Sequence, residues 1–77
     1  MIYPDSFASR LLFARHFVGY TQKELAKLTG LQDSSICKFE TGEREPSLQN
    51  FKKIVLALRV SADYLLDIDI ETLWRQE

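Results

Sequence analysis

Residues 21–40 read "TQKELAKLTGLQDSSICKFE", and the way this run divides decides the fold. Thr21 is followed three residues later by Glu24. That spacing makes a capping box, in which the threonine hydroxyl takes the Glu24 N–H and the glutamate carboxylate takes the Thr21 N–H. A helix therefore starts after Thr21, with Leu25 and Leu28 facing inward and Ala26 small enough to admit a neighbouring helix. Gly30 stops it, because a residue without Cβ enters the left-handed conformation at least cost. A second helix is expected from about Gln32 to Glu40. At 100° per residue, Leu31, Ile36 and Phe39 gather on one side together with Gln32 and Glu40. Ser34, Cys37, Lys38 and Thr41 point to the other side, and Asp33 sits at the edge.

Two short helices joined through a glycine turn form a helix-turn-helix pattern. Helical periodicity continues on both sides of it, and no alternating strand pattern interrupts it. Upstream, a helix spans Ser6 to about Val18, started by Pro4 and Asp5 and stopped by Gly19. Phe7, Leu11, Ala14 and Val18 share one face, and Arg15 falls on that same face. Downstream, "TGEREP" breaks the chain at Gly42 and Pro46. Ser47 then caps a helix in which Leu48, Phe51, Ile54, Val55 and Leu58 recur at i, i+3, i+4 spacing. Ser61 caps a short helix, "ADYLL", with Asp63 in its first turn, where the dipole favours an anion. The expected fold is all-α: a compact bundle of five short helices over residues 1–66. Residues 67–77 form an acidic and apolar tail with room for a further helical turn from Asp69.

The chain has 77 residues, enough for one domain near the lower limit for a core that folds without staples. Hydrophobic residues make up 45% and charged residues 27%, a globular rather than disordered balance. The single cysteine closes no internal disulfide, which points to a reducing cytoplasm. No apolar run approaches the ~20 residues that span a bilayer, and "MIYPDSFASR" lacks the pattern of a signal peptide. There are no paired carboxylates, nucleophile–base pair, metal-ligand set or glycine-rich phosphate loop, so neither an enzyme nor a bound cofactor or metal is expected.

The net charge of −1 conceals a segregation. Residues 1–59 hold nine Lys/Arg against six Asp/Glu, a balance of +3, and residues 60–77 hold one Arg against five Asp/Glu, a balance of −4. The larger part of the chain is thus free to present a positive surface. Arg15 and Glu40 make a further internal argument. Each lies on the apolar side of its own helix, where an unpaired ion is costly. Pairing the two resolves both problems and ties the first helix to the end of the third.

The run Thr21–Leu66, with Arg15 and Gly19 before it, resembles the Cro/cI-type helix-turn-helix regulators, also called the xenobiotic-response-element family. The matching residues are Arg15, Gly19, Thr21-Gln22, Glu24-Leu25-Ala26, Gly30, Ile36, Glu40, Gly42, Arg44, Pro46 and "VSADYLL", and the resemblance covers roughly residues 7–66. It implies a five-helix, lambda-repressor-like domain that binds double-stranded operator DNA as a homodimer and carries no catalytic residue. It also implies a buried Arg15–Glu40 salt bridge. Gln22 is implied to contact the DNA backbone and to brace the reading helix. Lys27 and Arg44 are further candidates for phosphate contact, as is Lys38.

Base readout falls to Gln32, Asp33, Ser34 and Lys38, since Gln suits adenine, Lys suits guanine and small side chains let a helix sit deep in the groove. Two positions depart from the family pattern. Gln32 stands where a Ser or Thr commonly caps the helix. Asp33 stands where relatives carry a polar or basic residue, and it either caps the helix or accepts a bond from a cytosine amino group. Cys37 reads as a small space-filling residue, and His16 is assigned no role. In the tail, Ile68, Ile70, Leu73 and Trp74 are candidate dimer contacts, and a dimer would set two reading helices about 34 Å apart. The expected function is a sequence-specific transcriptional regulator, a repressor acting by operator occupancy. The alternative is an antitoxin-like interaction module whose tail covers a protein partner while the domain autoregulates its own promoter.

Overall fold

The computed structural model describes residues 6–66. They form five helices: α1 (Phe7–Val18), α2 (Gln22–Thr29), α3 (Asp33–Thr41), α4 (Leu48–Leu58) and α5 (Ala62–Leu66). This is the all-α, five-helix bundle that the periodicity predicts, and no strand occurs among the described residues. The Pro4–Asp5 start, the extra C-terminal turn and the dimer contacts at Ile68, Ile70, Leu73 and Trp74 lie outside the described residues.

Side chains set four of the five helix starts. The Ser6 hydroxyl accepts the Ser9 N–H at 3.1 Å and opens α1. The capping box of α2 is complete: Thr21 Oγ1 accepts the Glu24 N–H at 3.0 Å, and Glu24 Oε1 accepts the Thr21 N–H at 2.8 Å. Ser47 caps α4 through the Asn50 N–H at 3.2 Å. Ser61 Oγ accepts from Asp63 and Tyr64 at the start of α5. The αL stop of α2 is Gly30 at φ 75°, whereas α4 ends on Arg59 at φ 57°, a conformation that a side chain makes less favourable.

Every helix contributes to one core. Leu11 and Ala14 come from α1, Leu25 and Ala26 from α2, Ile36 and Phe39 from α3, Ile54 and Leu58 from α4, and Leu65 from α5. Helix α3 packs against α1 and α2, α4 packs against α2, and α5 closes over α1.

Three apolar positions depart from the expected pattern. Leu28 is 56% exposed because the buried stripe of α2 runs through Leu25, Ala26 and Thr29 instead. Thr29 fits there because its hydroxyl donates to the carbonyls of Leu25 and Ala26, which leaves no polar group unsatisfied. Leu48 is 84% exposed, since the stripe of α4 sinks only from Phe51 onward. Leu31 is half-buried in the turn before α3 rather than on the helix.

Gly30 offers a clean test of the turn. A Cβ built there meets nothing within 4 Å, so Gly30→Ala should cost only its backbone strain, about 1 kcal/mol. Denaturant unfolding should show that loss with an unchanged m-value.

Candidate nucleic-acid interface

The geometry of the site starts from a buried ion pair. Arg15 is 6% and Glu40 9% exposed. Arg15 Nε donates to Glu40 Oε2 at 2.6 Å and Nη2 donates to Oε1 at 3.0 Å, the bidentate fork that suits a carboxylate. Nη1 donates to the Tyr20 carbonyl at 2.8 Å. Gln22 Nε2, at the start of α2, donates to Glu40 Oε1 at 2.9 Å. One carboxylate at the end of α3 is therefore held from α1 and from α2 together. Among the described residues, no buried side-chain nitrogen or oxygen lacks a hydrogen-bond partner. The Arg15–Glu40 pair expected from the two helical wheels is thus present, and the bracing role of Gln22 is an observed contact.

With Ile36, Phe39 and Glu40 turned inward, the opposite side of α3 is fully in solvent. It presents Ser34, Cys37, Lys38 and Thr41, with Asp33 at the edge. Gln32 belongs to this exposed set and not to the burying face. It is the N-cap of α3, in extended conformation, and makes no side-chain cap bond. Asp33 is consequently the first helical residue and not the cap, and its carboxylate gains only from the helix dipole. Its place in the first turn leaves it pointing to solvent beside Ser34.

Both signs of charge surround this row: Glu43 and Glu45 are exposed in the loop after α3, and Thr41 Oγ1 donates to Glu43 Oε1 at 3.2 Å. Lys38 extends from the last turn of α3. Arg44 follows Gly42 in a loop drawn back to α3 by a bond from the Arg44 N–H to the Lys38 carbonyl at 3.3 Å, and it is exposed. Lys27 is exposed on the side of α2 opposite its buried stripe. Cys37 is a free, exposed thiol. Among the described residues, no group of three His, Cys, Asp or Glu side chains is placed to hold a metal. Nor is any described helix long and apolar enough to cross a membrane.

Two elements of the brace escape a side-chain reading. The Tyr20 carbonyl is a backbone acceptor and leaves no trace in residue identity. His16 Nε2 stands 3.2 Å from Arg15 Nη2, although His16 occupies the outer side of α1. Its position directly after Arg15 was the available signal.

Residues 18–65 match the helix-turn-helix family model. The chain belongs to this family, in its Cro/cI (xenobiotic-response-element) branch. It is 36% identical over 64 residues to the HTH-type transcriptional regulator ImmR of Bacillus subtilis, covering 83% of this chain and 50% of ImmR. It is 36% identical over 58 residues to antitoxin HipB of Escherichia coli O6:H1, covering 75% of this chain and 62% of HipB. The chain thus spans about half to three fifths of the length of these relatives. Among solved structures it resembles the P22 c2 repressor in complex with a synthetic operator, with a TM-score of 0.78 and 31% identity. That match covers 84% of this chain and 98% of the repressor chain.

The two partners of Arg15 and Glu40 differ in weight. Glu40→Ala leaves a guanidinium buried without its counter-ion and should cost about 3–5 kcal/mol in chemical denaturation. Gln22→Ala removes one bond from a carboxylate that keeps its arginine, and should cost about 1 kcal/mol.

Proposed function

We propose that this chain is a sequence-specific DNA-binding transcriptional regulator that represses by occupying its operator, without chemistry of its own. The observation that carries the reading is the division of α3. Its inner side is locked by Glu40 to two other helices, and its outer side is a row of mostly short polar side chains. Such a helix enters a major groove roughly 12 Å wide without being held off by bulk, and arrives with its side chains already oriented. The resemblance to ImmR and to the operator-bound P22 c2 repressor supports the same reading.

In this reading Gln32 bonds adenine through its amide, Lys38 donates to the guanine acceptors, Asp33 accepts from a cytosine amino group, and Ser34 serves either kind of edge. Gln22, Lys27 and Arg44 contact phosphates and set register without encoding sequence. The N–H groups at the start of α2 add to the attraction for a phosphate there. A homodimer reads two half-sites about one helical turn, 34 Å, apart. The protein works in the cytoplasm of a prokaryotic or phage-bearing cell.

The similarity to HipB, whose name marks it as an antitoxin, favours a second reading in which the domain also serves a protein partner. Copurification with an unrelated small protein, lost on deleting residues 67–77, would select it over the simple repressor.

Selection from random duplexes across a salt series tests the proposal. A recovered site with steep salt dependence is expected; sequence-blind or absent binding overturns it. On that site, Gln32→Ala and Lys38→Ala should each lose about 1–3 kcal/mol and relax choice at one base pair. Asp33→Ala should relax choice at a C·G pair; uniform weakening would remove its reading role. Arg44→Ala should weaken all duplexes alike and reduce the salt slope by about 1.

A further inference from the structure

The outer side of α1 carries two phenylalanines in water. Phe13 is 53% and Phe17 78% exposed, one turn apart, with ring centroids at 6.4 Å and planes within 13°. With Val60, Ser61 and Tyr64 they edge a groove of about 280 Å³ floored by Ala14. The only polar side-chain groups in its lining are the hydroxyls of Ser61 and Tyr64. That volume is below the usual range for a small-molecule site, and the wall offers little to orient such a ligand. It suits one or two apolar side chains.

The position of the groove indicates what those side chains are. Tyr64 lies two residues before Leu66, where the described part of the chain ends. The eleven residues that follow, "DIDIETLWRQE", bring Ile68, Ile70, Leu73 and Trp74, and hold four Asp/Glu against one Arg, a balance of −3. The surroundings of the groove carry the opposite sign. Arg10 lies over the Tyr64 ring at 5.9 Å, and Arg59 directly precedes Val60. Asp63 is the one carboxylate on α5.

A second apolar groove, of about 310 Å³, also begins near Leu66, between Phe7, Leu48 and Phe51. Its wall contains Glu45, which opposes an acidic segment. Length is no obstacle to the first groove. At up to about 3.3 Å per residue, Trp74 can lie about 26 Å from Leu66, and Tyr64, two residues before Leu66, already lines the groove.

The geometry points to residues 67–77 of the same chain as the occupant of the α1–α5 groove, with their apolar side chains covering Phe13 and Phe17 and their carboxylates facing Arg10 and Arg59. A tethered segment binds at high effective concentration and forfeits no translational freedom, so a shallow groove suffices. The reading helix lies on other elements and remains open.

Trp74 is the only tryptophan in the chain, so its fluorescence reports on the tail directly, without DNA and independently of the operator proposal. The full chain should show blue-shifted emission that is protected from iodide and is the same at nanomolar and micromolar concentration. The double variant Phe13→Ser/Phe17→Ser, altered only at solvent-facing positions, should shift the emission red and increase quenching while keeping the helical signal. The remote control Leu56→Ser should change neither. Arg10→Glu, which inverts the charge beside the groove, should also increase quenching and gives a reading even if the double variant does not fold. Water-exposed emission in the parent overturns the proposal. So does a blue shift that develops only at high concentration, which assigns the tail to a second copy, and so does emission indifferent to the Phe13/Phe17 and Arg10 changes.

Discussion

The bond set around Glu40 is the constraint from which the rest of the structure follows. A domain of this size buries few residues completely, yet it places a full ion pair among them. Replacing such a pair by matched apolar groups is often neutral or stabilising, so net stability is a poor reason for its presence. Geometry is a better one. A leucine in place of Glu40 can pack in several rotamers, whereas a carboxylate gripped by a bidentate guanidinium and by the Gln22 amide admits one. The pair fixes the rotation of α3 about its own axis relative to α1 and α2. On a nine-residue helix, that rotation decides which side chains face outward.

Helices this short are unstable alone, and α3 lacks even a side-chain bond at its N-cap. Its persistence rests on packing, through Ile36 and Phe39, and on its two neighbours, which are better terminated. Helix α2 has a complete capping box and α1 has both a serine cap and an αL glycine. The well-capped helices thus act as the frame and the poorly capped one as the element held in it. Asp33 adds some compensation, since a carboxylate in the first turn meets the positive end of the dipole. That local benefit explains an acidic residue on a face otherwise suited to phosphates.

Much of this was legible in the residues because the strongest signals are local or costly to violate. The Thr21–Glu24 box and Gly30 are short-range patterns whose chemistry permits few alternatives. Arg15 and Glu40 stood out because a charge on an apolar stripe demands a partner, and each supplied the other. The departures from the helical pattern have a physical origin. Leu28 and Leu48 are apolar and at helical spacing, but spacing gives only the width of a stripe, and the neighbouring helix decides where it is centred. On α2 the centre moved toward Thr29, whose hydroxyl is satisfied by its own helix. Gln32 falls on the burying side of the wheel because the wheel assumes helical geometry at a residue that adopts extended φ and ψ. The Tyr20 carbonyl was beyond any such reading, since backbone acceptors have no residue signature.

The near-zero net charge is the last feature that the structure reinterprets. Attraction to a polyanion depends on the field at the contacting surface, which decays within about 10 Å at 0.1 M salt. The overall sum is therefore a weak guide. Lys38 and Arg44 belong to one end of α3 and the loop tied back to it, while the densest run of carboxylates lies beyond Leu66. Mixed into α2 and α3, where three lysines already stand against three carboxylates, that run would turn the balance of the two helices negative. It is set instead after α5 in the chain. The acidic residues that bring the total to −1 are thus set apart, along the chain, from α2 and α3.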